Sequence, residues 1–167
     1  MLGEAARSAE MAEVFYNAYS NALEVVGRAR GTTGEKLAIH SVNSISVKLS
    51  ALHPRYEFTH KEILIRELLP KIHSLCVLAK KYNIGLSIDA EEAARLEMSL
   101  TIFECLVRSV DLRGWDGLGF VLQAYQKISP MVAKWLIQLS KDSGQRLAVR
   151  LVKGAYWDHE IKQAQVH

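Results

Sequence analysis

Four short stretches of the chain have the polar and apolar pattern of β-strands, and longer stretches with helical spacing separate them. The strand-like stretches are 44–50, 84–90, 118–124 and 147–152. The first two alternate apolar and polar residues, and the last is an apolar, β-branched run of the kind buried in a parallel sheet. Each is followed by a segment whose apolar residues recur every three or four positions. The pattern therefore predicts four consecutive βα units.

An amphipathic helix is predicted before the first strand, over residues 8–28. Its apolar positions form one stripe: Met11, Val14, Phe15, Ala18, Ala22, Val25 and Val26. We expect this stripe to pack against the remainder of the protein. Residues 27–36 have the composition of a loop. They are not a phosphate-binding loop, because Lys36 neither directly follows the last glycine nor precedes a serine or threonine.

The helices that follow the strands have recognisable start and stop signals. They are predicted over 59–82, from 91 to about 110, over 129–143 and from 158 onward. The signals are a capping box at Thr59–Glu62, a kink or restart at Pro70, a cap at Ser129 followed by Pro130, a stop at Gly144 and a cap at Asp158. These signals divide the chain into the same four units as the strand pattern.

The spacing of the strands favours a barrel. Successive strands start about 30 to 40 residues apart, which matches the unit length of a (βα)8 TIM-type barrel. We therefore predict an α/β fold in which residues 1–40 form an N-terminal helical segment and loop. Residues 41–167 then form about four βα units, the first half of a barrel. A small doubly wound sheet fits the strand count equally well, so the choice depends on the residues at the strand ends.

Each predicted strand has one polar residue near its C-terminal end: Lys48, Asp89, Gln123 and Arg150. The same strand faces have small residues that leave room for a ligand: Ser46, Ser87, Gly119 and Ala148. Active sites of βα barrels lie at this end of the strands. Any one of the four polar residues alone is better explained by a buried polar network. Four in register favour an active site over that alternative.

Composition and charge narrow the classes of function. The chain has 167 residues, 49% of them hydrophobic, and a formal net charge of +3 that is spread without long runs of like charge. No nucleic-acid-binding surface, membrane span or signal peptide is expected. Cys76 and Cys105 lie among apolar residues and form no CxxC motif, so we expect reduced, buried thiols and a cytoplasmic protein. No metal site is predicted.

Four longer motifs make the chain recognisable. They are Ser46–Tyr56, Ile88–Ala93, Gly119–Lys127 and Arg150–Asp158. They closely resemble the proline dehydrogenase domain of the bacterial proline utilisation A flavoproteins, and the resemblance runs from the first residue to the last. It implies a distorted eight-stranded βα barrel that holds FAD, oxidises L-proline to 1-pyrroline-5-carboxylate and passes electrons to a membrane quinone. It also implies a peripheral position at the inner face of the membrane.

The resemblance assigns the flavin side of the site. It implies that Arg150 lies beside flavin N5 and that Arg150 and Asp89 are catalytic residues. Hydride transfer to N5 leaves negative charge on the flavin, which a nearby guanidinium stabilises. Gln123 is expected to hydrogen-bond the polar edge of the flavin, and Ala90 to contribute a backbone contact. Asp89 is not assigned as a base, since it can equally orient Lys48 or Arg150, anchor a tyrosine or influence the substrate amine.

The resemblance also implies residues for the substrate and for the rest of FAD. Lys48 matches a lysine that holds the proline carboxylate, and Tyr156 is expected to lie against the substrate. Trp157 is expected beside the flavin, and core packing is the alternative for both aromatic residues. The cofactor loop of the family, in which a glycine permits close backbone approach and a lysine can serve the pyrophosphate, matches Lys153, Gly154 and Ala155.

The resemblance covers only the first part of the family's domain. The later strands, the terminal helix with paired arginines for the substrate carboxylate and much of the adenosine site have no counterpart among these 167 residues. We therefore expect an internal fragment whose activity belongs to a longer protein. Expressed alone, the chain is expected to be inactive.

Two other functions remain open from the residues themselves. Lys48 and Lys153 each follow a predicted strand, and a desolvated lysine can act as the nucleophile of a Schiff-base aldolase-like barrel. The charge of Arg150 argues against that chemistry, because it suits an anion better than an amine. The other alternative is a non-catalytic flavin-binding fragment or scaffold.

Overall fold

The computed structural model describes residues 2–31 and 43–166. Within these ranges four strands form one parallel sheet: β1 Ser44–Val47, β2 Gly85–Ile88, β3 Leu118–Gln123 and β4 Ala148–Val152. Their spatial order is the chain order. A doubly wound sheet instead reverses its strand order at a switch point. The predicted α/β class is confirmed, and the strand order is that of a barrel wall.

Five α-helices accompany the sheet in the described ranges: α1 Ala9–Gly31, α2 Lys61–Lys81, α3 Leu96–Arg108, α4 Ser129–Ser143 and α5 Trp157–Val166. Short 3-10 turns occur at Leu49–Ala51, Phe58–His60, Ala93–Arg95 and Val110–Leu112. Each of α2, α3 and α4 connects one strand to the next parallel strand, which is the crossover that such a sheet requires. The predicted strand–helix alternation is confirmed, with strands one to three residues shorter than expected.

The buried face of α1 differs from the predicted stripe. Its buried hydrophobic residues are Ala12, Tyr19 and Leu23. Three members of the predicted stripe are instead exposed: Met11, Val14 and Val25. The stripe omitted Tyr19, whose ring packs in the core while its hydroxyl accepts the Leu2 N–H at 3.3 Å. The N-terminal segment satisfies the polar end of this side chain, so the tyrosine displaces the aliphatic positions from the core.

The end of α1 lies beyond the predicted position. The helix continues to Gly31, so the first part of the loop predicted over 27–36 is helical, and the remainder of that loop lies outside the described residues. A Cβ added at Gly27 would lie 2.2 Å from Cγ of Tyr82. Close packing of α1 against this ring, and not a turn, explains the glycine.

Of the predicted features of α2, the capping box is wrong, and of the two alternatives at Pro70 the restart is wrong while the kink stays a prediction. Thr59–Glu62 forms no capping box, because the 3-10 turn Phe58–His60 precedes the helix and no side chain caps it. Pro70 does not restart the helix, which runs through it without interruption. The Ser74 hydroxyl donates to the Pro70 carbonyl at 2.8 Å. Packing of a long apolar face against the sheet therefore outweighs the local preference of proline to break a helix.

Predictions for the last two helices are partly right. Gly144 ends α4 in a left-handed conformation, with φ of 67°, as expected for a C-terminal glycine. Ser129 does not cap α4, because its hydroxyl donates to the Gln123 carbonyl at the end of β3. Asp158 lies in the first turn of α5 and not at its cap. A carboxylate in the first turn still interacts favourably with the positive end of the helix dipole.

Burial differs along the sheet. β3 is buried over its whole length, and Phe120 packs against Phe103 of α3 with ring centroids 5.1 Å apart. The predicted burial of the fourth strand is wrong in this chain: Val149 is 48% exposed and Leu151 is 67% exposed. Among the described residues β4 pairs only with β3, so its second edge is open. The inner strand β3 is therefore buried, whereas the edge strand β4 exposes apolar side chains.

The two cysteines lie in different environments. Both are free, as predicted. Cys76 is buried in α2, whereas Cys105 is exposed on α3, so the expectation of two buried thiols is wrong for Cys105. The apolar neighbours of Cys105 in the sequence lie on the other face of an amphipathic helix.

Candidate active site

Two predicted site residues meet at the C-terminal side of the sheet. Arg150 lies on β4, Asp89 lies directly after β2 and Ser46 lies on β1. Arg150 Nη2 is 3.2 Å from Asp89 Oδ1 and 3.3 Å from Ser46 Oγ. Strand β3 lies between β2 and β4. A Cβ added at Gly119 of β3 would lie 2.4 Å from Oγ of Ser87 on β2. The missing side chain of Gly119 thus allows β3 to approach Ser87 closely, and the room for a ligand on this face stays a prediction. We call Arg150, Asp89 and Ser46 the Arg150 site.

A second polar group, the Lys48 cluster, consists of Glu4, Lys48 and Tyr156. Lys48 follows β1 and is 7% exposed. Its Nζ contacts Glu4 Oε1 and donates to Tyr156 Oη at 2.6 Å. Tyr156 Oη donates to Glu4 Oε1 at 2.9 Å. The segment before α1, the end of β1 and the loop after β4 therefore meet at this cluster.

The contacts of the Lys48 cluster set its charges. Burial acts to lower the pKa of Lys48, but hydrogen bonds to Glu4 and Tyr156 outweigh it and raise that pKa above its ordinary value. The hydrogen bond from Lys48 lowers the pKa of Glu4. Burial raises the pKa of Tyr156 to about 12. At neutral pH the cluster is an ammonium, a carboxylate and a neutral phenol.

This charge state disfavours Schiff-base chemistry. A nucleophilic lysine needs a pKa lowered by an apolar pocket or by a neighbouring cation. The carboxylate of Glu4 does the opposite to Lys48, because it raises the pKa of the ammonium. The other candidate, Lys153, is exposed at the cleft after β4.

Gln123 connects the ends of three strands. Its Nε2 donates to the Glu91 carbonyl at 2.8 Å, and its Oε1 accepts the Ala155 N–H at 3.3 Å. Ala90 lies between Asp89 and Glu91, and its N–H donates to Asp89 Oδ1 at 3.1 Å. The side chain of Gln123 therefore ties the loop after β2 to the loop after β4.

The loop after β4 depends on its glycine. Gly154 has a φ of 114°, and an added Cβ would lie 2.2 Å from Cδ1 of Tyr125. The Tyr125 N–H donates to the Lys153 carbonyl at 3.2 Å, which joins this loop to the end of β3. Trp157 packs edge-on against Tyr125, with ring centroids 5.8 Å apart, and is 55% exposed. The Trp157 ring is therefore not part of the core.

This loop and the end of β3 line an open cleft of about 470 Å³. The lining residues are Tyr125, Lys153, Gly154, Ala155, Trp157 and Asp158. A cation, backbone amides beside a glycine with positive φ, and aromatic rings are groups that bind phosphates and ring systems. The predicted cofactor loop thus forms one wall of a cleft large enough for part of a dinucleotide.

The sequence pattern did not single out two acidic residues of this region. Glu4 lies before the first helix, 44 positions from Lys48, and no local periodicity connects them. Glu91 was visible only as a part of the motif Ile88–Ala93, although it is 8% exposed and forms an ion pair with Arg95. A buried acid directly after a strand-end motif is the signal that could have identified it.

Neither a metal site nor a membrane-spanning helix is present in the described ranges. No group of histidine, cysteine and acidic side chains there could hold a metal ion. No described helix is long and apolar enough to cross a membrane.

Comparison with known proteins identifies relatives along the entire chain. Residues 1–167 match the family described as proline dehydrogenase. The chain is 49% identical over 166 residues to the bifunctional protein PutA of Salmonella typhimurium, which covers 99% of this chain and 12% of the relative. The identity and both shares are the same for PutA of Escherichia coli. The chain thus spans a small part of the relatives that it matches.

Solved structures agree with the fold. A crystal structure of Bradyrhizobium japonicum proline utilization A superposes with a TM-score of 0.94 at 43% identity, covering 99% of this chain and 17% of that chain. The Bdellovibrio bacteriovorus protein inactivated by N-propargylglycine gives a TM-score of 0.88 at 24% identity. The four-stranded wall therefore corresponds to part of the barrel predicted from the sequence. With a match over its whole length, the chain belongs to the proline dehydrogenase family.

Proposed function

We propose that this chain forms the first half of the active site of a flavin-dependent proline dehydrogenase. Residues 41–167 supply the first half of the barrel, and residues 1–40 supply the helical segment that precedes it. The complete site belongs to a longer protein that oxidises L-proline to 1-pyrroline-5-carboxylate. The whole-length family match and the position of polar residues at the strand ends support this proposal.

One observation carries the proposal: two cations at the same end of the sheet have different environments. Lys48 is buried and kept protonated by Glu4, whereas the Arg150 side chain is 53% exposed and shares one oxygen of Asp89. A buried ammonium suits a carboxylate that is present throughout a reaction. A half-exposed guanidinium suits a charge that develops on a ligand placed over it.

The substrate side is assigned to the Lys48 cluster. An ammonium has three N–H donors. Among the described residues, Glu4 and Tyr156 accept from two of the N–H groups of Lys48. The third N–H is assigned to the carboxylate of L-proline. The Tyr156 ring, whose centroid lies 5.1 Å from Lys48 Nζ, supplies an apolar face beside that carboxylate.

The residues on the other side fit FAD. The cleft of about 470 Å³ has a cation, Lys153, and a close-approach glycine, Gly154, next to the backbone of Ala155. Trp157 offers an exposed aromatic ring, and the Gln123 amide has spare hydrogen-bonding capacity. The carbonyl of Ala90 is assigned as a further backbone contact. When bound, FAD supplies the hydride acceptor.

Asp89 is assigned as a partner of Arg150 and not as a base. Its Oδ1 lies 3.2 Å from Arg150 Nη2 and also accepts the Ala90 N–H at 3.1 Å. A carboxylate with these two donors holds the guanidinium in place, which is the work of a partner of Arg150 and not of a base. Arg150 and Asp89 are therefore the catalytic pair, with Arg150 facing the developing negative charge.

The wider setting follows from the same proposal. The electrons pass to a quinone, so the longer protein is assigned to the cytoplasm with a peripheral contact at the inner face of the membrane. No nucleic-acid partner is assigned to this segment, whose net charge is +3.

The test uses the full-length protein that contains these residues. It should be yellow as purified, and anaerobic L-proline should bleach the flavin absorbance and support dye reduction. The Arg150→Met variant, with flavin retained, should bleach far more slowly. Yellow protein that proline does not bleach would point to a flavin-binding scaffold. Borohydride trapping of a carbonyl substrate on Lys48 would point to the aldolase.

A further inference from the structure

Glu91 is a buried acid that the proposed reaction does not use. Its side chain is 4% exposed. Glu91 Oε1 accepts the Ser50 N–H at 3.1 Å, and Oε2 accepts Arg95 Nη1 at 2.9 Å. Its carbonyl accepts Gln123 Nε2 at 2.8 Å. One residue therefore contacts the turn that follows Lys48 and the Gln123 amide, whose Oε1 accepts the Ala155 N–H of the loop that lines the cleft.

The contact with Ser50 extends to the segment that contains Glu4. Ser50 Oγ accepts the Ala5 N–H at 3.0 Å, and the Ser50 carbonyl accepts the Ala6 N–H at 2.8 Å. Ser50 itself is 2% exposed and lies two positions after Lys48. Glu91 thus holds the turn to which both charged members of the Lys48 cluster are attached.

We propose that Glu91 is a positioning residue that sets the substrate side and the cofactor side of the site relative to one another, through Ser50 on one side and Gln123 on the other. This inference rests on the proposed function. It assigns to Glu91 no contact with the substrate or with the reacting atoms.

The chemistry of the position requires a carboxylate. Both side-chain neighbours are donors, the Ser50 N–H and the Arg95 guanidinium, so both side-chain oxygens must accept. Glutamine offers one acceptor and one NH2 group, which would face one of the two donors. Burial raises the pKa of Glu91, and the Arg95 charge acts against that rise. Arg95 therefore helps to keep the buried carboxylate ionised.

The neighbouring acid provides a matched control. Glu92 Oε2 lies 3.2 Å from Arg95 Nη1, so Glu92→Gln removes one negative charge beside the same guanidinium. It leaves the hydrogen bonds of Glu91 to Ser50 and Gln123 in place. A difference in KM or flavin spectrum between Glu91→Gln and Glu92→Gln therefore reports the contacts of Glu91 with Ser50 and Gln123, and not only the loss of a negative charge beside Arg95.

The experiment compares these variants in the full-length flavoprotein, with three readouts: KM and kcat for L-proline, the flavin absorbance spectrum and the melting temperature. We expect Glu91→Gln to raise KM about tenfold, because the Ser50 N–H or the Arg95 guanidinium then faces an NH2 group and loses its acceptor. The flavin spectrum should shift, because the displaced side chain moves the Glu91 backbone, whose carbonyl accepts from Gln123 Nε2. Glu92→Gln should keep the wild-type KM and spectrum. Equal losses of melting temperature in both variants, with wild-type KM and spectrum, would show a purely structural role and overturn the proposal.

A second variant keeps the test decisive if Glu91→Gln does not fold. Ser50→Ala removes the acceptor of the Ala5 N–H and keeps the Ser50 N–H bond to Glu91. It should raise KM and leave the flavin spectrum unchanged, because it cuts only the substrate path. An unchanged KM would overturn the proposal. If the wild-type protein does not oxidise proline, the proposed function fails, and the flavin spectrum of Glu91→Gln against Glu92→Gln still decides the role of Glu91.

Discussion

The Lys48 cluster and the Arg150 site lie at the same end of one sheet, yet this chain encloses only the first. Lys48 is 7% exposed, and its partners come from the two ends of the chain. Arg150 lies on the open edge strand with its side chain 53% exposed. Helix α2 packs against β2, and α1 packs against α2 and the turn after β1. β1 and β4 are the two edge strands among the described residues, and Val149 and Leu151 are exposed at the β4 edge.

The difference shows which part of the site is preorganised by these residues alone. In the Lys48 cluster, burial and short hydrogen bonds fix both geometry and charge, so a ligand finds the ammonium already in place. In the Arg150 site the guanidinium has one carboxylate and one hydroxyl as partners and a solvent-exposed side. The described residues therefore enclose the Lys48 cluster, whereas they leave one side of the Arg150 guanidinium open.

The largest effect is expected when residues 1–167 are expressed alone. This polypeptide should not oxidise proline, because the flavin side is open and the edge of β4 exposes Val149 and Leu151. It should self-associate or lose fixed packing. Size-exclusion chromatography, near-UV circular dichroism and a proline-dependent dye assay measure this, with the full-length protein as control. A compact yellow monomer that turns over proline would contradict the prediction.

Arg150→Met in the full-length protein tests the exposed site directly. If the guanidinium stabilises charge that develops on the flavin, flavin reduction by proline should slow about 10²- to 10³-fold, and the flavin potential should fall. Stopped-flow bleaching and a redox titration measure the two quantities. Arg146→Met is the control, because Arg146 precedes β4 and its side chain is 78% exposed, with Asp116 3.9 Å away. A wild-type reduction rate in Arg150→Met would remove Arg150 from the chemistry.

The two sites also differ in how far the sequence could predict them. Arg150, Asp89 and Gly119 were predicted to share a face because a strand alternates its side chains, and that local rule survives folding. The partner of Lys48 was missed, since Glu4 reaches it only after the chain has packed α1 against α2. Periodicity predicts which face a residue lies on, but not which distant segment covers that face.

Helix ends were the least predictable part of the fold for a related reason. Ser129 followed by Pro130 is typical of a helix cap. The Ser129 hydroxyl nevertheless donates to the Gln123 carbonyl, because the turn after β3 brings the two groups together. Pro70 has the strongest local signal against a helix, and α2 passes through it. At Ser129 a hydrogen bond to the strand end six positions earlier outweighs the preference for a cap, and at Pro70 the packing of the whole helix outweighs the preference of proline.

Lys48→Ala probes the enclosed site and should have a smaller effect than Arg150→Met. Loss of a charged hydrogen bond to the proline carboxylate should raise KM by about 10- to 100-fold and weaken carboxylate-bearing competitive inhibitors, at about 1.5–3 kcal/mol. The flavin spectrum should change little, because Lys48 contacts Glu4 and Tyr156 and none of the cleft residues Lys153–Ala155. Lys71→Ala, which breaks the exposed pair with Glu13, is the control. Loss of flavin with unchanged inhibitor affinity would assign Lys48 to the cofactor.

The smallest expected effect is the pH dependence of the Lys48 cluster. The hydrogen bond from Lys48 lowers the pKa of Glu4 in the folded protein, so the carboxylate stabilises the fold at pH values above its unfolded pKa. That stabilisation disappears as the pH falls through the lowered pKa. Because the Glu4 side chain is 46% exposed, solvent screening limits the contribution to less than about 1 kcal/mol.

The measurement compares the melting temperatures of the wild-type full-length protein and Glu4→Gln from pH 7 to pH 3. The wild type should be the more stable protein at pH 7, and the difference should shrink towards zero in acid as Glu4 becomes protonated. Tyr156→Phe removes the weaker of the two hydrogen bonds that lower this pKa and should keep most of the pH dependence, since Lys48 is the larger cause. A difference that stays constant over this pH range would mean that Glu4 contributes through packing and not through its charge.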